Sequence, residues 1–498
     1  MPNHVLSSGR SLLSVTTIGL MALPAMVPMT ASADDAALAE LVKRQSAMLE
    51  AQAKQLQAMQ ARLNRLEADE QQDRGASLVT SPPATTSPQQ DVSIDKLKNR
   101  VALLEASQVD RTRIDWSDGG PKFISANGKR SLEINGRLQL DASNTSGSRF
   151  DSRNIGGTQA RRLQFGVSGQ LSERIGYKME YDLSSNDISM RDAYVSSDFK
   201  FGEHDATLYV GNKYDDRTMD GATSSNNTWF MERGFVNEAL GPERGSYGLG
   251  IKGKVFGDSR TWHTSLAITN GRLGGDTDRS DSTTYMTRSH WNPWTSGSDM
   301  VHLGAWGFHE NIHESDTSAT QNTRAADGFN DNVTINSRPI RDPESSNAYG
   351  FELATSLGPF AAAAEYGKRS IQQRDSAGGD DVRYDAYSVQ AGYFLTGENH
   401  GYSRKSGVWR LPEVKDPVSA GGWGAFELAT RYQALDFDGT SDYPRGDGHS
   451  TTVGLNWYPN DWSRVMFNYI HWNTHNRSGD YEGKDDGDTL ATRLQVVF

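Results

Sequence analysis

From about Trp116 to Phe498 the chain keeps a two-residue alternation, and nothing else in it limits the fold so tightly. Leu132, Ile134, Leu138 and Leu140 alternate with Glu133, Asn135, Arg137, Gln139 and Asp141; Leu163, Phe165, Val167 and Leu171 alternate with Arg162, Gln164, Ser168 and Gln170. A period of two sends successive side chains to opposite faces of a strand, so each segment has one apolar and one charged face. The pattern returns at 175–184, 205–213, 244–256, 260–270, 283–292, 299–310, 346–357, 359–369, 383–395, 422–435, 448–458, 461–473 and 488–498, with a weaker segment at 190–198. Short turns such as GDS at 257–259 and PN at 459–460 alternate with long polar loops at 142–160, 214–243, 311–345 and 474–487. About sixteen such segments predict an all-β, sixteen-stranded antiparallel transmembrane β-barrel over 116–498. The connection at 396–421 is out of step, because parity places this long stretch on the short-turn side.

Composition agrees. The chain holds 49 Gly and 18 Tyr, 17 Phe and 11 Trp in only 36% hydrophobic residues, which favours many strands and turns over a helical core. The mean hydropathy of -0.65 follows from a barrel that needs an apolar residue only at every second position. Aromatics gather near strand ends, as at Trp291, Trp294, Tyr393, Trp457, Trp462 and Trp472, in the manner of interfacial girdles. The last residues, ATRLQVVF, read as a final strand closing on a terminal aromatic, the signal such barrels present for assembly. A net charge of -12 argues against nucleic acid as a partner, and the absence of Cys removes disulfides and thiolate metal sites.

The N-terminal third reads differently. Arg10, an apolar stretch from Leu12 to about Val27 and Ala31-Ser32-Ala33 predict a signal peptide over 1–33. Thr16, Thr17, Pro24 and Pro28 interrupt that stretch and argue against a membrane anchor. Leu38, Val42, Gln45, Leu49, Gln52, Leu56, Met59, Leu63 and Leu66 then follow a heptad seam, which predicts a periplasmic coiled coil over 34–74 that pairs with copies of itself. A Pro/Ser/Thr linker and a short second helix fill 75–115.

If the barrel is a channel, its chemistry is the charge of its lumen and its narrowest point. Inward parity collects Arg137, Arg162, Lys178, Lys213, Lys252, Lys254, Arg431 and Arg493, but also Glu133, Asp141, Glu180, Asp182, Glu352, Glu365 and Glu427. Counting leaves the sign of the lumen undecided. The loop at 214–243 carries Phe230, Met231, Phe235, Val236, Ala239 and Leu240, which have to pack somewhere, so it is expected to fold into the barrel and narrow it. Neither HExxH, GxSxG nor a Walker loop occurs, so no enzyme, metal or cofactor is expected.

The stretch QARRLQFGVSGQLSERIGYKMEYDLSSNDISMRDAYV at 159–195, then LYVGNK, TSSNNTWFMERG, FLTGE at 394–398 and GWGAFELATRYQALD at 422–436, resembles the phosphate-selective porins O and P of Gram-negative bacteria. The resemblance spans about 118–498. It implies homotrimeric barrels in outer-membrane lipid that pass small anions such as phosphate or polyphosphate. It maps the family's arginine pair onto Arg161 and Arg162, its constriction aspartate onto Asp192, its loop serines onto Ser224 and Ser225, and its strand-end lysine onto Lys213. Guanidinium pairs suit phosphate because each donates two planar hydrogen bonds. The expected pore-lining set is therefore Arg161, Arg162, Asp192, Lys213, Ser224, Ser225, Arg137, Lys252, Lys254 and Arg431. Two departures stand out: Asn226 replaces the lysine after the serines, and Asp215 and Asp216 follow Lys213 where the family has a KPPF-like or KEPF-like stretch, so weaker anion binding is expected. Parity also turns Arg161 outward, and its role needs a bulge. A general or sugar-type porin is the alternative within the fold; a secreted trimeric adhesin or carbohydrate-binding protein is the alternative outside it. Contact of the coiled coil with peptidoglycan is a further expectation.

Overall fold

The computed structural model describes residues 112–116, 119–185, 188–271, 273, 282–374, 381–438 and 445–498. The expected signal peptide and coiled coil, and most of the linker, lie outside the described residues.

Sixteen long strands form one antiparallel sheet that closes on itself. The first four are β1 (Ser131–Ser146), β2 (Gly156–Gln170), β3 (Ile175–Asp182) and β4 (Ser189–Phe201). Next come β5 (His204–Tyr214), β6 (Tyr247–Phe256), β7 (Trp262–Asn270) and β8 (Thr283–Ser296). They are followed by β9 (Asp299–Asn311), β10 (Pro343–Leu357), β11 (Phe360–Gln373) and β12 (Val382–Phe394). The last four are β13 (Ala425–Phe437), β14 (Asp447–Asn460), β15 (Ser463–Asn476) and β16 (Gly483–Val497). Each strand pairs with the next, and β16 pairs with β1, Arg493 opposite Asp141 and Leu494 opposite Leu140. At the seam the Phe498 amide donates to the Gly136 carbonyl at 3.1 Å, and the Gly136 amide donates to the Phe498 O atom at 2.7 Å. The Phe498 ring lies so close over Gly136 that a Cβ there would come within 2.4 Å of the ring.

Several strands run further than the alternation predicted. The loop expected at 142–160 shrinks to 147–155, and that expected at 474–487 to 477–482. The extra residues, such as Asn144, Ser146, Thr158, Thr474 and Asp486, are polar on both faces, so no alternation marked them. The ladder continues there because its hydrogen bonds do not require an apolar face.

The wall is inside out relative to a water-soluble core. Phe165, Ile251, Leu266, Phe351, Val389 and Leu490 stand exposed on its outside. Arg288, Arg369, Arg464 and Arg493 are among the largest fully buried side chains. That is the inverse pattern expected where lipid surrounds the sheet. Trp291, Trp294, Tyr393, Trp423 and Trp462 ring the short-turn end, and Tyr285, Tyr349, Tyr387, Tyr432 and Tyr469 ring the wall toward the other. Among the described residues no helix is long and apolar enough to cross a membrane.

Three connections pack inside. Loop 215–246, with short helices α1 (Met219–Ala222) and α2 (Phe235–Ala239), runs across the lumen. Loop 312–342 packs on it, with Ala325, Val333, Ile335 and Ile340 joining Phe235, Val236 and Leu240 in one buried apolar cluster. The anomalous segment 395–424 turns inward from the short-turn end, and its hairpin (Gly401–Ser403 with Val408–Arg410) puts Trp409 against Trp229 at 4.8 Å between ring centroids. Its length follows from that role, since a tight turn could not reach loop 215–246.

Candidate pore constriction

Irregular backbone inside a barrel has to find partners for its amides and carbonyls. Here the wall supplies them from inward strand positions. Glu365 accepts from the Met219 amide at 2.6 Å and Gln433 from the Phe235 amide at 3.1 Å. Arg464 donates to the Thr228 carbonyl at 2.7 Å, Asn456 to that of Trp229 at 2.8 Å and Arg431 to that of Glu232 at 3.0 Å. Arg431 also lies over the Phe230 ring, 4.6 Å from its centroid. Its place is beneath the loop, as a support.

The bulge that Arg161 needs is present. Gln139 pairs with Arg162 and Leu140 with Ala160, so Arg161 is the extra residue of β2. It turns to Glu232 and donates from Nε at 2.9 Å and Nη2 at 2.8 Å. Arg493, fully buried, donates to Glu232 at 2.8 Å and holds Asp141 bidentately at 2.7 and 2.8 Å. Glu232 is thus the bolt between the loop and β2 and β16. Burial alone would raise its carboxyl, but the guanidiniums of Arg161 and Arg493 hold it well below the usual carboxylate range.

Asp215 and Asp216 do not add free negative charge, which corrects the expectation. Asp215 is buried between Arg244 at 3.0 Å and Lys252 at 3.1 Å; Asp216 meets Lys254 at 2.7 Å, His263 at 3.1 Å and Arg288 at 3.3 Å. Both stay well ionised: burial opposes the charge, and these cations outweigh it. The same pairs occupy Lys252 and Lys254, which face inward without offering free charge. Along the sequence the two acids and two lysines stand apart; only their distances in space show that they cancel.

Asp192 accepts from Lys178 Nζ at 3.0 Å and from the Tyr214 amide at 3.1 Å. Lys178 also meets Glu180 at 3.0 Å, and Arg191 meets Asp182 at 3.0 Å. Among the described residues, Arg137, Arg162, Lys213, Arg233 and Arg410 have no carboxylate partner. Arg137 donates to the Ser225 hydroxyl, Arg162 to Gln139 Oε1 at 2.8 Å, and Arg233 to the Asp220 and Thr223 carbonyls at 3.1 and 2.8 Å. Lys213 lies 4.9 Å from the Tyr194 ring centroid and 5.1 Å from that of Tyr209. Between β1–β4 and the loop a cavity of about 520 Å³ stays open, lined by Arg137, Lys178, Tyr194, Ser224, Asn226 and Arg410. Arg233 and Glu232 lay unassigned in the FMERG motif, and Arg410 in the segment for which parity had no place.

A model of the phosphate-selective porin O and P family matches residues 132–498. The chain belongs to that family. The porin is 26% identical over 413 residues to Porin O of Pseudomonas aeruginosa, covering 76% of this chain and 91% of that protein. It is 27% identical over 368 residues to an uncharacterised protein of Caulobacter vibrioides, covering 72% and 71%. Among solved structures it is similar to the outer-membrane protein OmpT of Vibrio cholerae, with TM-score 0.47 and 11% identity over 74% of this chain and 98% of that one. A second is an anion-selective porin from Comamonas acidovorans, with TM-score 0.45 and 14% identity over 74% and 100%. Family and sixteen-stranded barrel together make the chain an outer-membrane porin.

Proposed function

We propose that this porin passes small anions, inorganic phosphate or polyphosphate among them, by diffusion between β1–β5 and loop 215–246, and that it works as the homotrimer implied by the family resemblance. One observation carries the reading. Of the lumenal acids, Asp141, Glu180, Asp182, Asp192, Asp215, Asp216, Glu232 and Glu352 each have a cation within 3.1 Å, Glu133 meets Lys122 at 3.3 Å, and Glu365 and Glu427 are taken up by the Met219 amide and by Asn456 and Tyr458, while Arg137, Arg162, Lys213 and Arg233 have no carboxylate in direct contact. The field in the gap is therefore positive although the chain as a whole is not. Fixed guanidiniums replace the water an anion sheds, and the exposed Ser224 hydroxyl adds a neutral donor. Asn226, on the same cavity, supplies a dipole where the family has a cation, so a bound anion leaves more readily. The test is planar-bilayer recording with asymmetric KCl and added phosphate. A reversal potential on the chloride side and a chloride current that phosphate reduces are expected; cation preference, or no phosphate effect, would remove this reading.

A further inference from the structure

Three imidazoles stand side by side on the inner wall where β7, β8 and β9 run together. The His290 ring lies 4.6 Å from His263 and 5.5 Å from His302 between centroids, the latter pair within 8° of parallel. All three are buried. The charged and titratable groups facing them come from every neighbouring element: Asp216 from loop 215–246, Lys254 from β6, Arg288 from β8, Glu352 from β10 and Tyr402 from segment 395–424.

Their hydrogen bonds fix a proton count. His263 Nε2 meets Asp216 Oδ2 at 3.1 Å, His263 Nδ1 meets His290 Nδ1, and His290 Nε2 meets the Arg404 carbonyl at 2.8 Å. This chain ends on an acceptor at both sides and has two rings between, so three contacts need three protons. Two neutral imidazoles carry only two. The pair therefore closes all three contacts with one added proton, and a fourth would set two N–H groups against each other. His302 is complete as a neutral ring, with Nε2 on Glu352 at 3.0 Å and Nδ1 on the Tyr402 hydroxyl at 2.7 Å.

The same cluster ties down segment 395–424. Besides the Arg404 carbonyl on His290, the Ser406 and Gly407 carbonyls accept from Arg288 at 3.1 and 2.7 Å, and Asn292 donates to Tyr402 at 3.0 Å. That segment brings Arg410 to the pore cavity. On its other side a cavity of about 670 Å³ reaches the short-turn residues Gly297 and Ser298 and is lined by Arg410 and by Tyr402 and Arg404, the two residues of the segment that bond His302 and His290.

We propose that the His263–His290 pair is a proton-operated latch on segment 395–424: closed with one added proton, it is opened by a second, which frees the segment from the wall and withdraws Arg410 from the pore. The freed state binds one more proton than the latched state, so acid favours release. The equilibrium moves about tenfold per pH unit below the ordinary imidazole value of about 6.5. The inference rests on the porin reading, and the experiment separates the two.

Single-channel conductance and reversal potential are recorded in asymmetric KCl from pH 7.5 to 4.5 for the wild type, His290→Gln and Arg410→Ala. The wild type is expected to gain conductance and lose anion preference in acid. Protonating lumenal carboxylates would instead increase anion preference, so the direction identifies the cause. His290→Gln keeps a donor for the Arg404 carbonyl but cannot titrate, and its acid step is expected to vanish. Arg410→Ala, a change at an exposed side chain, is expected to keep the conductance step and lose the change in preference. Channels with no acid step, or a step unaltered in His290→Gln, would overturn the latch; failure of the wild type to form channels would overturn the porin reading itself.

Discussion

The two sides of the barrel share an outer surface and differ inside. Along β10–β13 small inward residues recur among the larger ones: Ala348, Ala354, Ala361, Ala363, Ala386 and Ala429 share buried apolar clusters with Phe235, Val236, Leu240, Met219, Phe230 and Trp409. Along β1–β5 they are long and polar: Arg137, Gln139, Arg162, Lys178, Tyr194 and Lys213. One side is a floor on which inserted segments pack, and the other is the wall of the remaining passage. Alternation secures the barrel, while residue size on the inward parity decides which half is filled. A small side chain lets a loop approach the sheet, and a charged one keeps water.

Charge reversal on the open side should separate the two most strongly. Arg137→Glu is expected to cut the anion-to-cation permeability ratio about tenfold or more, because reversing a charge within several ångströms of an ion is worth about 2 kcal/mol at intermediate dielectric constant. Lys368→Glu, on the outer surface of β11, should leave the reversal potential unchanged.

Next in size is the bolt between the halves. Glu232→Ala leaves Arg161 without its carboxylate and the buried Arg493 with Asp141 alone, and loss of one partner from such a network costs about 3–5 kcal/mol. The heat-induced mobility shift of the folded barrel should occur at a lower temperature, and conductance should rise as loop 215–246 detaches. Acid tests the same contact without mutation. The Glu232 carboxyl is held below its unfolded value, so its contribution is complete above about pH 5 and is lost as pH falls through the lowered folded value. An additional loss of loop protection in hydrogen exchange at the acid extreme is expected, and Glu232→Gln should lack it.

Overpacking the filled side should matter less, yet more than the same change opposite. Ala363→Leu is expected to cost about 1–3 kcal/mol with selectivity intact, against about 0.5 kcal/mol for Ser168→Leu beside the cavity, read from thermal melting in detergent. The smallest effect belongs to the exposed pair Lys129–Glu173, where Lys129→Ala should change stability by less than about 0.5 kcal/mol.

The strands were readable in the chain because period two is a local property, and so was the inward side of Arg137, Arg162 and Lys213. What stayed hidden has particular causes. The bulge at Arg161 breaks parity by one residue, and nothing in ARRLQ marks where. Segment 395–424 carried one warning, its length on the wrong side, and one clue, the apolar Trp409 in a polar stretch. The fate of Asp215 and Asp216 had no local sign at all.

By itself the sequence determined a closed membrane barrel: alternating hydropathy acts residue by residue, and lipid outside with water inside enforces it along every strand. Only the tertiary structure decided the sign of the passage. Whether a lumenal charge is free or cancelled depends on a partner three ångströms away in space and tens to hundreds of residues away in sequence, as Asp141 with Arg493 and Asp216 with Arg288 both illustrate.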